Sequence, residues 1–322
     1  MNIVEVEELT KKFGQVKAVN QISFAVTKGE IFGFLGPNGA GKTTTINVLC
    51  TLLRPTSGRA LVDGCDVRRQ RSQVRRSIGL VFQEPTLDEY LTAEQNLRFH
   101  AYAYAVPGKE REKRIYKLLN LVNLWDRRKS KVRTYSGGMK RRLEIARGLL
   151  HFPQVLFLDE PTLGLDPQTR RLIWEHIHTL RRQENLTIFL TTHYMEEAEN
   201  CDRIAIIDRG RIVTLDTPDK LKDDAGGDVV TLTAENNESA TIELKERYQL
   251  SADIHDGIIT FSVPHGEAFL PDFVRGFNNR LLSISVRRPT LEDVFVKLTG
   301  RAIREQEANT VETMKGMMRE RG

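Results

Sequence analysis

Gly36-Pro37-Asn38-Gly39-Ala40-Gly41-Lys42-Thr43-Thr44 has the form GxxxxGK[ST], a spacing that suits a chain to hold phosphate. Glycines let successive backbone N–H groups curl around phosphate oxygens, and the partial positive charge of a following helix N-terminus adds to the attraction. Lys42 is placed to reach the β- and γ-phosphates, and the Thr43 hydroxyl to ligate Mg²⁺. Gly36, Asn38, Gly39, Gly41, Lys42, Thr43 and Thr44 are therefore candidate phosphate contacts. The motif needs a strand before it and a helix after it. The apolar run Ile31-Phe32-Gly33-Phe34-Leu35 supplies the first, and residues 42–53 read as the second.

Val155-Leu156-Phe157-Leu158-Asp159-Glu160 matches the second half of such a site. Four apolar residues bury a strand and deliver two carboxylates at its C-terminal end, where parallel sheets bind ligands. Asp159 is placed to hold Mg²⁺ directly or through water. Glu160, one residue on, is placed to orient and polarise an attacking water.

In Tyr135-Ser136-Gly137-Gly138-Met139, a small hydroxyl and two backbone N–H groups at a helix N-terminus form a grip for a γ-phosphate. This segment resembles the signature motif of ATP-binding-cassette (ABC) ATPases. The remaining landmarks of that family follow in order. Gln83 in Val81-Phe82-Gln83-Glu84-Pro85 resembles the Q-loop, Leu163-Gly164-Leu165-Asp166 the D-loop, and His193 the switch histidine. Phe13 in Lys12-Phe13-Gly14 resembles the aromatic residue that stacks on adenine. The resemblance covers about residues 1–215. It departs from the commonest signature at Tyr135 and Met139, where Leu and Gln are usual. Lys-Arg-Arg-Leu-Glu-Ile-Ala-Arg after Met139 is similar to the daunorubicin-resistance branch of drug exporters. So is Arg287-Arg288-Pro289-Thr290-Leu291-Glu292-Asp293-Val294-Phe295. Nodulation-factor and lipid or polysaccharide exporters belong to the same branch.

The resemblance implies ATP and Mg²⁺ as cofactors. It implies Glu160, His193 and Gln83 as catalytic residues, and Thr43, Gln83 and Asp159 as metal ligands. Phe13, Ser136, Gly137, Gly138 and Asp166 join the loop residues as nucleotide contacts. It further implies a head-to-tail dimer of two copies with ATP sandwiched between them, and a separate transmembrane permease docked near residues 84–105. The chain then works as the ATP-hydrolysing subunit of an exporter, cytoplasmic and peripheral on the inner face of the membrane, with no nucleic-acid partner. The alternative is a soluble ABC ATPase without a transport role, acting on ribosomes, chromosomes or cluster assembly. Ribosome-acting relatives usually carry two cassettes in one chain, and chromosome-acting ones carry long coiled coil; neither feature is in this sequence.

The elements that must position these residues are legible in outline. Ile31–Leu35, Val155–Leu158, Thr187–Thr191 and Ile204–Ile207 are apolar runs of the kind buried on both faces of a sheet. Helical spacing between them, as in residues 170–183, makes an α/β domain around a largely parallel sheet. Ile3–Val6 and Ile22–Val26 alternate, as half-buried antiparallel strands do. The expected architecture is an α/β phosphate-loop cassette over residues 1–219, with an antiparallel β subdomain and a helical insertion at about 90–150. The insertion opens on the capping box Thr92-Ala93-Glu94-Gln95; its first helix should end at Pro107-Gly108, and its last should span about 138–150. A small α+β domain follows at 220–300, with strands at 229–233, 240–244, 257–263 and 281–286 and a helix near 268–277. Residues 301–322 form a charged tail, helical or disordered.

Composition fits this reading. Of 322 residues, 40% are hydrophobic and 28% charged, enough to build a core rather than a disordered chain. No apolar run approaches the roughly 18 residues of a membrane span, and the first residues do not read as a secretory signal. The three cysteines form no CxxC pair, which speaks for a reducing compartment. Residues 1–215 carry 34 Lys+Arg against 24 Asp+Glu, and residues 216–322 carry 14 against 19. The basic clusters at 68–76 and 127–133 lack interleaved aromatics for base stacking, so they read as solvated surface.

Overall fold

The computed structural model describes residues 1–300 other than 225 and 256; the tail expected at 301–322 lies outside the described residues. The chain divides into two compact units, Met1–Leu215 and the part that begins at Asp216. The division falls slightly before residue 219. Thr217 caps the helix Pro218–Asp223, accepting from Lys220 N at 3.3 Å, and that helix packs on Leu291–Thr299 within the second unit.

The first unit is built on a six-stranded sheet. Its order is Arg211–Asp216, Arg203–Asp208, Ile31–Leu35, Thr187–Thr192, Val155–Asp159, Ile78–Val81. The pairings from Arg203–Asp208 across to Ile78–Val81 are parallel. Three of the four inner strands, Ile31–Leu35, Thr187–Thr192 and Val155–Asp159, are buried at every residue, which is why their sequence shows no alternation. Because they run parallel, their C-terminal ends emerge on one edge. The phosphate-loop segment leaves after Leu35, Gln83 after Val81, Glu160 after Asp159 and His193 after Thr192.

A second sheet, ordered Val16–Thr27, Asn2–Phe13, Ser57–Val62, Cys65–Asp66, is antiparallel. Phe24 from this sheet stacks on Phe32 of the parallel sheet, with ring centroids 5.6 Å apart, and lies 6.0 Å from Phe189. Phe34 and Phe157 complete the cluster, so aromatic packing joins the two sheets beneath the loop. The helix after the loop is Lys42–Leu49, shorter than the expected 42–53. Thr51 takes a left-handed backbone (φ 64°) and stops it.

The insertion contains Ala93–Ala103, Gly108–Leu121 and Gly137–Gly148. The Thr92–Gln95 capping box forms through bonds of 3.2 and 2.8 Å. The first helix ends at Ala103 rather than at Pro107, because Ala105 is left-handed (φ 53°).

The second unit has a sheet ordered Asp253–His255, Ile258–Val263, Asp228–Ala234, Leu281–Arg287, with helices Asn237–Arg247 and Gly266–Gly276 packed on it. Residues 240–244, expected as a strand, lie in the first of these helices. Asn236 caps it, accepting from Ser239 N at 3.0 Å. Ala240 and Leu244 share the buried face, whereas Ile242 is 56% exposed. A strand would have buried all three, and a five-residue alternation fits both periods until the cap decides.

The segment Arg287–Phe295 builds its own helix start. Arg287 grips Asp293 with both terminal nitrogens, at 2.6 and 2.8 Å, and Thr290 and Asp293 form a capping box. Leu291, Val294 and Phe295 are buried. Burial alone would raise the Asp293 carboxyl, but the Arg287 fork and the Thr290 bonds outweigh it and bring it down to about 2. A depressed carboxyl stabilises the fold above its ordinary pKa, and that contribution is lost as pH falls through about 2. Asp293→Asn should therefore cost about 1 kcal/mol at neutral pH, a figure discounted for partial exposure. The cost should shrink towards pH 2 in urea titrations; an equal cost at every pH would contradict the pairing.

Candidate nucleotide site

The loop from Gly36 to Gly41 is forced into glycine at two places. Gly41 has φ 106°, and a Cβ there would lie 2.4 Å from the Ala18 carbonyl oxygen. A Cβ on Gly36 would lie 2.2 Å from the Ile207 carbonyl oxygen. Only bare backbone threads between those carbonyls. The loop residues Pro37, Asn38, Gly39, Gly41, Lys42, Thr43 and Thr44 line a cleft of about 210 Å³ together with Ala18, Gln83 and Glu160.

Lys42 is buried, and its charge is satisfied locally. Its Nζ donates to the carbonyls of Gly36 (2.7 Å) and Pro37 (3.1 Å) and pairs with Glu160 Oε1 at 3.1 Å. The other Glu160 oxygen lies 3.1 Å from His193 Nδ1. Burial would raise the Glu160 carboxyl, but the His193 hydrogen bond and the Lys42 charge together pull it below its ordinary value. Glu160 is thus an ionised carboxylate between a cation and an imidazole. Its backbone is left-handed (φ 46°), a costly state for a non-glycine residue. Bonds from Glu160 N to the Thr191 carbonyl (3.2 Å) and hydroxyl (3.1 Å) hold it there.

Asp159 Oδ1 accepts from Thr191 Oγ1 at 2.5 Å and from Thr43 Oγ1 at 3.2 Å. Burial raises its carboxyl against those bonds. The hydroxyl of Thr43 and the carboxylate of Asp159 are hard oxygen donors in contact, with the amide of Gln83 lining the same cleft. This donor set fits Mg²⁺.

The other sequence-derived residues stand apart from the cleft. Phe13 is 49% exposed at the end of its strand, with Lys11 Nζ 4.9 Å over the ring. Ser136, Gly137, Gly138 and Asp166 do not line the cleft either. Ser136 caps Gly137–Gly148, its hydroxyl accepting from Met139 N at 3.3 Å. Asp166 caps Pro167–Glu184, accepting from Thr169 N at 2.9 Å and Thr169 Oγ1 at 2.6 Å. These two helix starts touch: a Cβ on Gly138 would lie 2.4 Å from Thr169 Cγ2.

Three residues central to the geometry carry no sequence signal of their own. Thr191 bonds both Asp159 and Glu160. Ala18 shapes the loop from a distant strand. Arg141, one turn into the helix that Ser136 starts, is 7% exposed and spends its guanidinium on backbone carbonyls. Nε donates to Pro161 (2.6 Å), Nη2 to Asp159 (3.0 Å) and Glu160 (2.8 Å), and Nη1 to Phe82 and to the Glu144 carboxylate. Glu144 in turn accepts from Thr86 N at 2.7 Å.

A parallel sheet that presents a buried lysine, a metal-competent oxygen pair and a held carboxylate along one edge belongs to the phosphate-loop nucleotide hydrolases. Known proteins narrow the class. Residues 19–163 match the family described as ABC transporter. A linearmycin resistance ATP-binding protein of Bacillus subtilis is 38% identical over 320 residues, covering 94% of this chain and 100% of that protein. A daunorubicin resistance ATP-binding protein of Streptomyces coeruleorubidus is 40% identical over 314 residues, covering 95% and 97%. Among solved structures, the dimeric post-hydrolysis ATP-binding cassette MJ0796 bound to ADP and Pi covers 66% of this chain, with TM-score 0.60 and 29% identity. The structure of cbiO1 from Clostridium perfringens, part of the ABC transporter complex cbiONQ, covers 77% of this chain and 96% of its own, with TM-score 0.65 and 28% identity. The chain belongs to the ABC transporter family and is one of its ATPases, binding ATP and hydrolysing it. Among the described residues no helix is long and apolar enough to cross a membrane.

Arg141→Ala should remove the shared donor to these carbonyls and leave Glu144 buried without its nearest countercharge. The expected loss is about 3–5 kcal/mol of unfolding free energy. Arg141→Lys should recover little of it, because an ammonium cannot span the carbonyls as the planar fork does. Urea unfolding of the two variants checks this; a loss below about 1 kcal/mol in both would contradict the role.

Proposed function

We propose that this ATPase powers the export of drug- or antibiotic-type compounds through a separate membrane permease, from the cytoplasmic face of the membrane. The full-length likeness to resistance ATP-binding proteins named for linearmycin and daunorubicin supports the cargo class. Exposed Phe99 and Tyr102 on the insertion, with Tyr90 just before it, suit a docking face for the permease.

The observation that carries the mechanism is the separation of two anion grips on one chain. The signature residues Ser136, Gly137 and Gly138 form a helix start outside the cleft that Lys42 lines. Two copies arranged head to tail would bring one chain's signature to the other's loop, with Asp166 beside it, making two composite sites. Phe13 would stack on the adenine. Within each site, an arriving γ-phosphate takes Lys42 from Glu160. The freed carboxylate, still held by His193, orients water for attack. Thr43 and Asp159, with Gln83, would hold Mg²⁺, which when bound offsets the charge of the β- and γ-phosphates.

Glu160→Gln should bind nucleotide normally and hydrolyse it at least about 100-fold more slowly, because an amide accepts no proton. Turnover near wild type would remove Glu160 from the catalytic role. Lys42→Ala should instead lose nucleotide affinity, read by calorimetry, and unchanged affinity would contradict the loop assignment.

Ser136→Arg tests the composite site. Nucleotide binding to the isolated chain should survive, while hydrolysis collapses and specific activity loses its dependence on protein concentration. Wild-type activity that is constant down to concentrations where light scattering shows only monomer would rule out the two-copy mechanism.

A further inference from the structure

Glu197 lies on the short helix Met195–Ala198, one turn beyond His193, and is 1% exposed. Its Oε1 accepts from the Thr162 hydroxyl, and its Oε2 is buried with no hydrogen bond among the described residues. Arg170 Nε, likewise buried without a hydrogen bond, stands 3.8 Å from Oε1. The Arg170 guanidinium rests 4.2 Å over the Tyr194 ring, and that ring lies 4.0 Å from the His193 ring. Thr162 belongs to the loop from Glu160 to Asp166, where Leu163 N bonds the Glu160 carbonyl at 3.2 Å and Leu165 N the Thr162 carbonyl at 3.1 Å. Arg170 and Glu197 thus form a loose ion pair with no hydrogen bond between them, and Arg170 Nη1 also stands 3.8 Å from the exposed Glu196 carboxylate, so a small rotation is enough to tighten the buried pair into a hydrogen-bonded one. The carboxylate side joins the loop after Glu160, and the guanidinium side joins the turn that carries His193.

We propose that Glu197 is a positioning residue for hydrolysis: ionised, it closes on Arg170 and the Thr162 hydroxyl, locking the His193 turn to the loop that leaves Glu160. Neutral, it accepts more weakly and releases Arg170 to Tyr194, and the two segments loosen. The groups facing it are Arg170 from Pro167–Glu184, Thr192 and Thr162 at the strand ends, His193 and Glu160 in the site, Arg141 from the signature helix, and Cys201. Burial dominates among their effects and pushes the Glu197 carboxyl up to about 7, against the neighbouring Thr192 hydroxyl and the Arg170 charge. The switch between the two forms therefore falls within the physiological range. The proposal rests on Glu160 and His193 being the hydrolytic pair.

Glu197→Gln reproduces the neutral form at every pH. In the purified full-length chain, kcat at saturating MgATP should be compared from about pH 6 to about pH 8.5, alongside the affinity for a fluorescent ATP analogue. The ratio of wild-type to Glu197→Gln kcat should stay near one at the acid end. It should rise to about tenfold at the alkaline end, short of the ~100-fold that a displaced reacting group can cost. KM and analogue affinity should not change. Thr162→Val should follow the same curve, and Thr162→Ser should restore the wild-type one. A ratio that is flat across pH, or a kcat loss matched by a loss of analogue affinity, overturns the proposal. Glu160→Gln measured in the same series separates the two failures, because turnover in that variant would remove the hydrolytic reading itself.

Discussion

The site hangs on one buried cation. Two neighbouring parallel strands, Ile78–Val81 and Val155–Asp159, end side by side, and each end leaves carbonyls that the sheet ladder no longer satisfies. Arg141 satisfies several of them at once, bonding Phe82, Asp159, Glu160 and Pro161 through one rigid fork. A buried guanidinium is expensive unless its charge and its donors are both used. Glu144 supplies the charge and the carbonyls use the donors. Without this fork the left-handed backbone of Glu160 would keep its two bonds to Thr191 and the one from Leu163 N, and its carbonyl would lose its bond to a charged donor. The same fork ties the helix that begins at Ser136 to the strand that ends at Asp159, so one side chain braces both that helix start and the backbone of Glu160.

What the sequence disclosed and what it hid follow from the range of the interactions. The loop from Gly36 to Thr44 and the pair Asp159-Glu160 were legible because their chemistry needs neighbours in sequence: glycines before a helix, carboxylates after an apolar run. The capping box at Thr92 was legible for the same reason. Arg141, Thr191 and Glu197 were not, because their partners lie on other strands and only the fold brings them near. Arg141 in particular lies in the Lys-Arg-Arg-Leu-Glu-Ile-Ala-Arg segment, which marks a branch of the family but names no partner for this side chain. Residues 240–244 show the opposite failure. Five alternating residues suit a strand locally, and the helix wins through Asn236 and the burial of Ala240 with Leu244, which needs a core to reward it.

Charge is arranged along the edge as a chain of replaceable partners. Lys42 is neutralised by Glu160, and Glu160 is shared with His193. Asp159 is held apart from them by two threonine hydroxyls. Its carboxyl is pushed up where that of Glu160 is pulled down, so two adjacent acids are given different characters by their surroundings. The two partners sit on different oxygens of Glu160, so an anion that drew Lys42 away would leave the histidine contact in place. The charge of Lys42 is therefore balanced within the chain by Glu160.

The two helix starts outside the cleft follow the same economy of parts. The Ser136 oxygen already accepts from Met139 N, so what remains to grip an anion is its hydroxyl proton and the first N–H groups of the helix, which have no intrahelical partner. Those groups can approach a phosphate closely because Gly138 carries no side chain. Gly138 is in turn compelled by Thr169, whose own position is fixed by Asp166 as cap. The signature and the loop ending at Asp166 therefore set each other's geometry within one chain. An anion that meets the first N–H groups after Ser136 would therefore meet a surface whose shape the loop from Glu160 to Asp166 has already set.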